Sequence, residues 1–281
     1  MSELDVVARI RRMARNNFLG DDCAVLRPRP GEELLVTTDL FLEGVHFKKE
    51  SITAAEAGQR CLVRGLSDIA AMGGTPRWCF VSLALDGASG SGWVDGFYRG
   101  LLALARRHSV ELAGGDLSVA RRIAADIVVI GVVPKGTALR RSGARPGDAI
   151  YVSGRLGQAA VSRYRLPAEP RLALGRHLRG RATACMDLSD GLALDLYRLC
   201  KESRVAAELD HPLPVAPGAN LEQALSGGED YELLFTASPR TRIPGAFRGI
   251  PLTRVGSIVK GAPGRMRFFG RPLKPVGWDP L

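Results

Sequence analysis

The stretch LLVTTDLFLEGVHF, from Leu34 to Phe47, decides how the rest of the sequence is interpreted. Its apolar beginning is followed directly by Thr37, Thr38 and Asp39, which predicts a buried strand that presents oxygen atoms where it ends. Two hydroxyls and a carboxylate are ligands that suit a hard cation such as Mg²⁺. The alternative is that Thr-Thr-Asp merely ends the strand, since such residues are common where strands turn. Both interpretations remain open on this stretch alone.

Acidic residues follow apolar runs or glycines at several further places in the chain. Converging carboxylates repel one another unless cations lie between them. Several Mg²⁺ ions bound together with a polyphosphate would neutralise them, so acids, metals and phosphates form a consistent set. For Asp68, which falls near the apolar stripe of a predicted helix, ion pairing with Arg60 or Arg64 is the competing explanation. The acids concerned are Asp22, Asp39, Asp68, Asp116, Asp187 and Asp190.

The composition is that of an ordinary globular chain and argues against several classes of protein. The 281 residues are 46% hydrophobic and 24% charged. No apolar run approaches the roughly 20 residues needed to cross a bilayer, and the N-terminus lacks a signal-peptide segment, so we expect a cytoplasmic protein with no membrane partner. The five cysteines are never spaced as a Cys-x-x-Cys pair, which argues against zinc and against a disulfide framework.

The net charge of +10, from 39 Lys and Arg against 29 Asp and Glu, raises the possibility of nucleic-acid binding. The arginines are spread along the whole chain, however, and only 6% of the residues are aromatic. Nucleic-acid-binding proteins usually concentrate basic residues and often interleave them with aromatics. A positive field that attracts polyphosphate substrates explains the same charge balance. We therefore expect no nucleic-acid partner, and keep a basic nucleic-acid-binding protein as the alternative from another class.

Hydrophobic periodicity predicts amphipathic helices and apolar strands in both halves of the chain. The turn-rich segment RRSGARPGD, residues 140–148, indicates a domain boundary. Because strands occur in meanders as well as alternating with helices, the pattern favours an α+β layered fold over a doubly wound parallel one. Helices are predicted over 4–13, 53–72 and 94–108; strands over 78–85, 111–113 and 123–133, with a glycine turn at 114–116; and a closing hairpin over 255–259 and 265–269.

An ordered series of motifs covers nearly the whole chain from about residue 20. They read GDDCAVL, TTDLFLEGVHF, LSDIAAMGGTP, GGD, RSGARPGD, YVSGRLG, MDLSDGL, GGEDYELLFT and a terminal GWD. Walker motifs and kinase glycine loops are absent from the sequence. Single motifs of this kind are weak, but the ordered set is specific. It resembles the thiamine-monophosphate kinases, part of a larger superfamily that includes aminoimidazole ribonucleotide synthetase.

The resemblance implies a two-domain α+β fold of the aminoimidazole ribonucleotide synthetase type. Residues 1–138 would form an N-terminal ATP- and Mg-binding domain that also makes a homodimer through its sheet. Residues 139–281 would form a C-terminal domain that completes the nucleotide and substrate cleft. The implied reaction is ATP-dependent phosphorylation of thiamine monophosphate to thiamine diphosphate, by direct in-line transfer assisted by several Mg²⁺ ions.

Roles for individual residues follow from the same resemblance. The acceptor phosphate is largely ionised at neutral pH, because its second pKa is about 6, so no catalytic protein base is expected. The competing interpretations are a structural histidine for His46 and an exposed tail aromatic for Trp278. The metals would be held by Asp22, Thr37, Thr38, Asp39, Asp68, Asp116, Asp187 and Asp190; the nucleotide would be contacted by Tyr98, Gly115, Asp116, Arg141 and Ser189; and His46, Glu229 and Trp278 would line the acceptor site.

The sequence departs from the family pattern in two places. The segment between YVSGRLG and MDLSDGL is shorter than the family leads us to expect, and the tail reads GWDPL where a GWDHF-like ending is usual. Both departures concern the acceptor site more than the metal site. The alternatives within the fold are a sister ATP-dependent enzyme that acts on another acceptor, and a catalytically silent protein that senses metal and nucleotide.

Overall fold

The computed structural model describes residues 3–16, 18–19, 23–87, 89–164 and 168–279. The chain divides into two compact units. The first consists of Met1–Ile69 and Thr75–Lys135, and the second of Ala70–Gly74 and Gly136–Leu281. In the described part of the chain, no helix is long and apolar enough to cross a membrane.

The first unit packs helices against one face of a sheet. The predicted helices over 4–13, 53–72 and 94–108 are confirmed. The elements are α1 (Glu3–Ala14), β1 (Glu32–Leu42), α2 (Ala54–Ala71), β2 (Thr75–Leu85), α3 (Ser91–Arg107), β3 (Glu111–Val119) and β4 (Ala124–Pro134). The described strands of this unit form a sheet in the order β1-β4-β2-β3, in which β2 and β3 are parallel and the other pairs antiparallel.

The course of β1 corrects the sequence prediction. The strand does not end at Thr37-Thr38-Asp39 but continues through these residues to Leu42, and it is only partly buried. Successive side chains of a strand point to opposite faces of its sheet. One face of β1 is turned towards α2, whereas Val36 and Leu40 on the other face are 64% and 56% exposed. The three polar residues are therefore divided between the two faces of the sheet.

The glycine turn predicted at Gly114-Gly115-Asp116 is also wrong, because these residues lie within β3. A Cβ atom at Gly115 would lie 2.0 Å from the carbonyl oxygen of Val81 on β2, and the φ angle of Gly115 is 154°. Only glycine allows the two strands to come this close. The glycine thus marks a close approach of two backbones and not a change of direction.

The second unit contains a larger mixed sheet with helices and an apolar core that includes Ile150, Leu196 and Leu234. The elements are β5 (Ala149–Ser153), α4 (Gln158–Val161), α5 (Leu172–Leu178), β6 (Ala184–Asp187), α6 (Leu192–Ser203), β7 (Ala206–Leu209), α7 (Leu221–Ser226), β8 (Leu233–Ala237), β9 (Ala246–Phe247), β10 (Ile250–Val259), β11 (Met266–Phe268) and β12 (Arg271–Pro272). In the described residues the strands of this sheet follow the order β12-β11-β7-β10-β5-β8-β6, and β9 pairs with β10.

The predicted closing hairpin is wrong, although both of its strands exist as β10 and β11. They do not pair with each other; β7 lies between them, antiparallel to β10 and parallel to β11. Ala206, Ala207 and Leu209 of β7 are buried, so a strand with this composition is stabilised in the interior of the sheet. The mixed parallel and antiparallel pairing in both units is the α+β architecture that the sequence predicted.

Candidate functional site

In the first unit, β1 and α2 bring three of the predicted metal ligands together. Thr37 and Asp39 lie two residues apart and therefore share the face of β1 that is turned towards α2. The Thr37 hydroxyl donates a hydrogen bond to Oδ2 of Asp68 on α2. Asp39 Oδ1 lies 3.7 Å from Nε of Arg64, one helical turn before Asp68. Arg64, one of the two arginines considered as an ion-pair partner of Asp68, thus lies beside Asp39 as well.

Thr38 points to the opposite face of the sheet and joins a different acid. Its hydroxyl donates a hydrogen bond of 2.7 Å to Oδ1 of Asp126 on β4. In the ladder, Asp126 of β4 lies opposite Ser82 of β2, which in turn lies opposite Asp116 of β3. Two carboxylates on one face are thus separated by two strand spacings, roughly 10 Å. Asp126 was not among the predicted site residues.

Three of the predicted nucleotide contacts line a single cavity of about 590 Å³ in the first unit. They are Tyr98 of α3 and the consecutive Gly115 and Asp116 of β3. Phe18 and Phe80 supply apolar wall to the same cavity. Burial raises the pKa of the Tyr98 phenol, which keeps its hydroxyl protonated at neutral pH. The cavity therefore combines an apolar wall with a carboxylate, as a ligand with a flat apolar part and a charged part requires.

His46 has contacts that support the structural interpretation of this residue. Its Nδ1 accepts a hydrogen bond of 2.9 Å from the backbone N–H of Leu42, and its ring stacks on Phe41. The backbone carbonyl of His46 accepts a hydrogen bond of 2.9 Å from Arg60. Because Nδ1 is an acceptor, the neutral ring carries its proton on Nε2. These contacts stabilise the turn that follows β1, and the proposed contact of His46 with the acceptor stays a prediction.

In the second unit, the motif loop 186–191 is held by backbone hydrogen bonds from two later segments. Glu229 N–H donates to the carbonyl of Ser189 at 2.8 Å, and Trp278 N–H donates to the carbonyl of Asp190 at 2.9 Å. Further bonds tie Leu188 to residues 231–232. The structure therefore brings together Ser189, Asp190, Glu229 and Trp278, which are up to 89 positions apart in the sequence. Asp187 lies at the end of β6 and is 3% exposed.

The two segments that hold this loop have unusual backbones. Glu229 and Tyr231 have φ angles of 65° and 51°, a region that costs a non-glycine residue on the order of 1 kcal/mol or more. A Cβ atom at Gly277 would lie 2.4 Å from the carbonyl oxygen of Asp190. Gly277 thus allows the tail to reach the loop, and Trp278 is 46% exposed beside it. Backbone strain of this kind is common where a protein holds a functional group.

Asp190 takes part in a compact charge cluster with α6. Arg198 Nη1 donates hydrogen bonds to Asp190 Oδ2 and, at 2.9 Å, to Asp195 Oδ1. The backbone N–H groups of Asp190 and Gly191 donate to the other oxygen of Asp195. Burial raises the pKa of Asp195 to about 6. Arg198 therefore orients Asp190, whose role as a metal ligand stays a prediction.

One further predicted residue, Arg141, is not joined to these clusters by the observed contacts. Arg141 lies exposed in the turn after residue 139, where its carbonyl accepts a hydrogen bond of 2.8 Å from Ser203 Oγ. Asp22, together with the rest of the Gly20-Asp21-Asp22 motif, lies outside the described residues.

The predicted metal ligands fit magnesium by their chemistry. All are hydroxyl or carboxylate oxygens, which a hard cation prefers. Among the described residues, no group of three or more His, Cys, Asp or Glu side chains is close enough to hold a metal alone. Protein Mg²⁺ sites usually consist of one or two carboxylates completed by waters and substrate phosphates. A pair such as Asp39 and Asp68 is consistent with that kind of site.

Similarity to characterised proteins identifies the family. Thiamine-monophosphate kinase from Rhodopirellula baltica is 36% identical over 264 aligned residues, which cover 86% of this chain and 83% of the relative. The chain belongs to the thiamine-monophosphate kinase family. The expected enzyme class, a kinase with a phosphate group as acceptor, is confirmed by this membership.

Solved structures of the thiamine-monophosphate kinase family share the fold. The enzyme from Stenotrophomonas maltophilia K279a matches with a TM-score of 0.85 and 34% identity, covering 96% of this chain and 98% of that one. AaThiL complexed with AMPPCP and TMP matches with a TM-score of 0.81 and 29% identity, covering 99% and 97%. The family model "AIR synthase related protein, N-terminal domain" matches residues 20–133. The predicted aminoimidazole ribonucleotide synthetase-like fold is confirmed.

Several polar residues that lie near the thiamine-monophosphate kinase motifs of this chain could not be identified, or were not identified, from the sequence. Asp126 carried a usable signal, because it is the one charged residue in the apolar run 124–133. Arg198 and Asp195 had the spacing of a helical ion pair. Arg171 had no local signal, since its partner Glu232 is 61 positions away.

Asp230 lies between Glu229 and Tyr231 in the family motif. Its ionisation should make the stability of the protein depend on pH. Its buried carboxylate accepts hydrogen bonds from Gly157 N–H at 2.6 Å and Ala159 N–H at 2.9 Å, and burial raises its pKa to about 6. The unfolded chain releases this proton near pH 4, so the contribution of Asp230 to the free energy of unfolding falls as pH rises from about 4 to about 6, by at most about 3 kcal/mol.

We expect Asp230→Asn to remove that contribution. The difference in unfolding free energy between the unsubstituted protein and the variant should then fall across this pH range when measured by urea denaturation. Asp195, with a pKa also raised to about 6, is present in both proteins and cancels in the difference. Parallel pH profiles for the two proteins would contradict the interpretation.

Proposed function

We propose that this chain transfers the γ-phosphoryl group of ATP to thiamine monophosphate and releases thiamine diphosphate and ADP. The observation that carries the proposal is the assembly of three family motifs around the loop 186–191 through the backbones of Ser189, Asp190, Glu229 and Trp278. The proposal is further supported by AaThiL, at 29% identity, which was crystallised with AMPPCP and TMP. AMPPCP has the triphosphate shape of ATP.

We propose direct in-line transfer. An oxygen of the acceptor phosphate forms a bond to the γ-phosphorus, the bond from that phosphorus to the β,γ-bridging oxygen breaks, and ADP leaves with the electron pair. Several bound Mg²⁺ ions would screen the repulsion between the two polyanions. The described residues proposed as metal ligands are Thr37, Thr38, Asp39, Asp68 and Asp116 of the first unit and Asp187 and Asp190 of the second. Asp22, which lies outside the described residues, completes the predicted set.

The remaining residues are proposed to contact the nucleotide or the acceptor, according to the chemistry of each substrate. Tyr98 and Gly115, which line the cavity of the first unit, would contact the nucleotide together with Ser189 and Arg141. Thiamine has a cationic thiazolium ring and a flat pyrimidine. An exposed indole attracts both by stacking and cation–π interaction, and a carboxylate attracts the positive charge. Trp278 and Glu229 supply these two groups beside one loop.

The test is chromatographic detection of thiamine diphosphate after the pure protein is incubated with thiamine monophosphate, ATP and Mg²⁺. Controls contain thiamine in place of the monophosphate, or EDTA in place of Mg²⁺. We expect product only from the complete mixture with the monophosphate. ATP hydrolysis or ATP binding without thiamine diphosphate would overturn the acceptor assignment and favour a sister activity on another acceptor.

Trp278→Ala should raise the KM for thiamine monophosphate about tenfold, with little change in the KM for ATP. A tenfold change corresponds to about 1.4 kcal/mol, within the range of one cation–π or stacking contact. Initial rates with one substrate varied at a time measure both constants. Val276→Ala removes another exposed apolar side chain of the same tail and should change neither. Equal rises in both KM values would place Trp278 outside the acceptor site.

A cytoplasmic homodimer is part of the same proposal. The open face of β1 presents Leu34, Val36 and Leu40, which are 47%, 64% and 56% exposed. Several exposed apolar side chains on one face of a sheet are typical of a surface that another subunit covers. The cytoplasmic location is supported by the substrates, ATP and a phosphorylated metabolite, and by the free cysteines.

A further inference from the structure

A second cavity in the first unit is lined mainly by arginines. Its volume is about 610 Å³, and α1 and α3 provide its walls. It shares no described lining residue with the cavity that contains Tyr98. Around it stand five arginines and one aspartate, with apolar wall from Met13 and Leu102. The charged residues are Arg9, Arg12, Arg15, Arg99, Arg106 and Asp95.

The arrangement follows from the spacing of the two helices. On α3, Asp95, Arg99 and Arg106 are four and seven positions apart and so lie on one face. On α1, Arg9 and Arg12 are three positions apart, and Arg15 follows the helix with a φ of 55°. Arg9 Nε pairs with Asp95 Oδ1 at 2.9 Å and joins the two helices. That aspartate is the one acid among the described lining residues.

Such an excess of guanidinium groups is electrostatically unfavourable. Lysine or histidine can relieve the repulsion by losing a proton, but arginine remains charged at any physiological pH. Asp95 relieves part of the repulsion through its pair with Arg9, and solvent ions or a bound anion must relieve the rest. Guanidinium groups bind phosphate oxygens in pairs of parallel hydrogen bonds, and the pairs are stronger than neutral hydrogen bonds. A multivalent phosphate anion therefore matches both the charge and the donor geometry.

The size and lining of the cavity favour a small anion over a nucleic acid. Its volume lies within the roughly 300–1,000 Å³ typical of small-ligand sites. The described residues that line it include no aromatic side chain, whereas single-stranded nucleic acids are usually held by stacking of bases on aromatics. We propose that this cavity binds a small polyphosphate anion, separately from the substrate sites.

The test is isothermal titration of the full chain with inorganic tripolyphosphate, in EDTA so that metal-dependent binding of polyphosphate is removed. We expect one saturable site per chain, with affinity that decreases as salt rises. Arg99→Gln/Arg106→Gln should weaken binding at least about tenfold, since two charge-assisted contacts are lost. Arg12→Gln/Arg15→Gln, on the opposite wall, should act similarly and guards against a folding defect in one variant.

The matched control is Arg267→Gln/Arg271→Gln, which removes two exposed arginines from β11 and β12 of the second unit. It should bind tripolyphosphate as the unsubstituted chain does, and all variants should keep normal turnover. Equal weakening in the control would show general charge attraction and overturn the site. So would unchanged binding in both cavity variants. Tight binding of a single-stranded oligonucleotide that depends on Arg99 and Arg106, with no tripolyphosphate binding, would replace the proposal with a nucleic-acid surface.

Discussion

Asp39→Ala and Asp187→Ala are each expected to lower the turnover number at least about a thousandfold. In the proposed reaction these carboxylates hold the cations that screen two polyanions, and such screening is worth several kcal/mol. A loss of about 4 kcal/mol corresponds to a thousandfold in rate. The measurement is the turnover number at saturating substrates. In a further variant, Asp39→Asn, the Mg²⁺ concentration needed for half-maximal rate should rise.

The controls separate this effect from a loss of fold. Asp39 lies 3.7 Å from Arg64, so its removal also leaves a partly buried positive charge, and thermal melts of every variant are required. Glu33→Ala removes an exposed carboxylate from the same strand, and Asp210→Ala removes an exposed one from the second unit. Both should retain normal turnover. Near-normal rates in purified Asp39→Ala and Asp187→Ala would refute the metal assignment.

The Thr37-Thr38-Asp39 stretch shows what sequence reasoning reaches and where it stops. The residue types and the nearby apolar run correctly indicated a strand with polar groups. The strand continues through them, however, because β4 offers hydrogen-bond partners as far as Leu42. Alternation then sends Thr38 to Asp126 and Thr37 to Asp68. The acid to which each hydroxyl donates depends on the register of β1 with β4 and on how α2 packs. Neither can be inferred from the local sequence.

Long-range pairing explains the other differences between prediction and structure. The helices were predictable because an amphipathic period is a local property. The position of β7 between β10 and β11 depends on which neighbours compete for its two edges. The ordered motifs, unlike periodicity, singled out Ser189, Glu229 and Trp278, whose segments are joined by hydrogen bonds between distant parts of the chain. The polar partners of those motifs, which lie outside any motif themselves, were missed.

Arg171→Met is expected to lower the free energy of unfolding by about 3–5 kcal/mol, the usual cost of leaving a buried charge without its partner. Arg171 donates two hydrogen bonds to the carboxylate of Glu232, one of 2.7 Å through Nε. The Glu232 side chain is 6% exposed and also accepts from the Ser153 hydroxyl. Although burial alone lowers the pKa of Arg171, the bonds to Glu232 raise it overall, so the two charges stabilise each other.

Arg171→Met should also disturb the candidate site. The backbone carbonyl of Glu232 accepts a hydrogen bond of 2.8 Å from Leu188 N–H, so the residue that Arg171 fixes also holds the loop 186–191. We therefore expect the KM for thiamine monophosphate to rise in Arg171→Met even at temperatures where the variant is folded. Urea denaturation and initial rates on the same preparation measure the two effects.

A double substitution distinguishes the pair from simple loss of packing. Replacing both partners, as Arg171→Met/Glu232→Met, removes the uncompensated charge and should recover most of the stability that Arg171→Met loses, because an apolar pair of similar volume is often as stable as a buried ion pair. Arg240→Ala, at an exposed position, should change the free energy of unfolding by less than about 0.5 kcal/mol. If the double variant is less stable than Arg171→Met, the uncompensated charge of Glu232 is not the cause. The stabilisation would then reside in the hydrogen bond that Glu232 accepts from the Ser153 hydroxyl and in the packing around it.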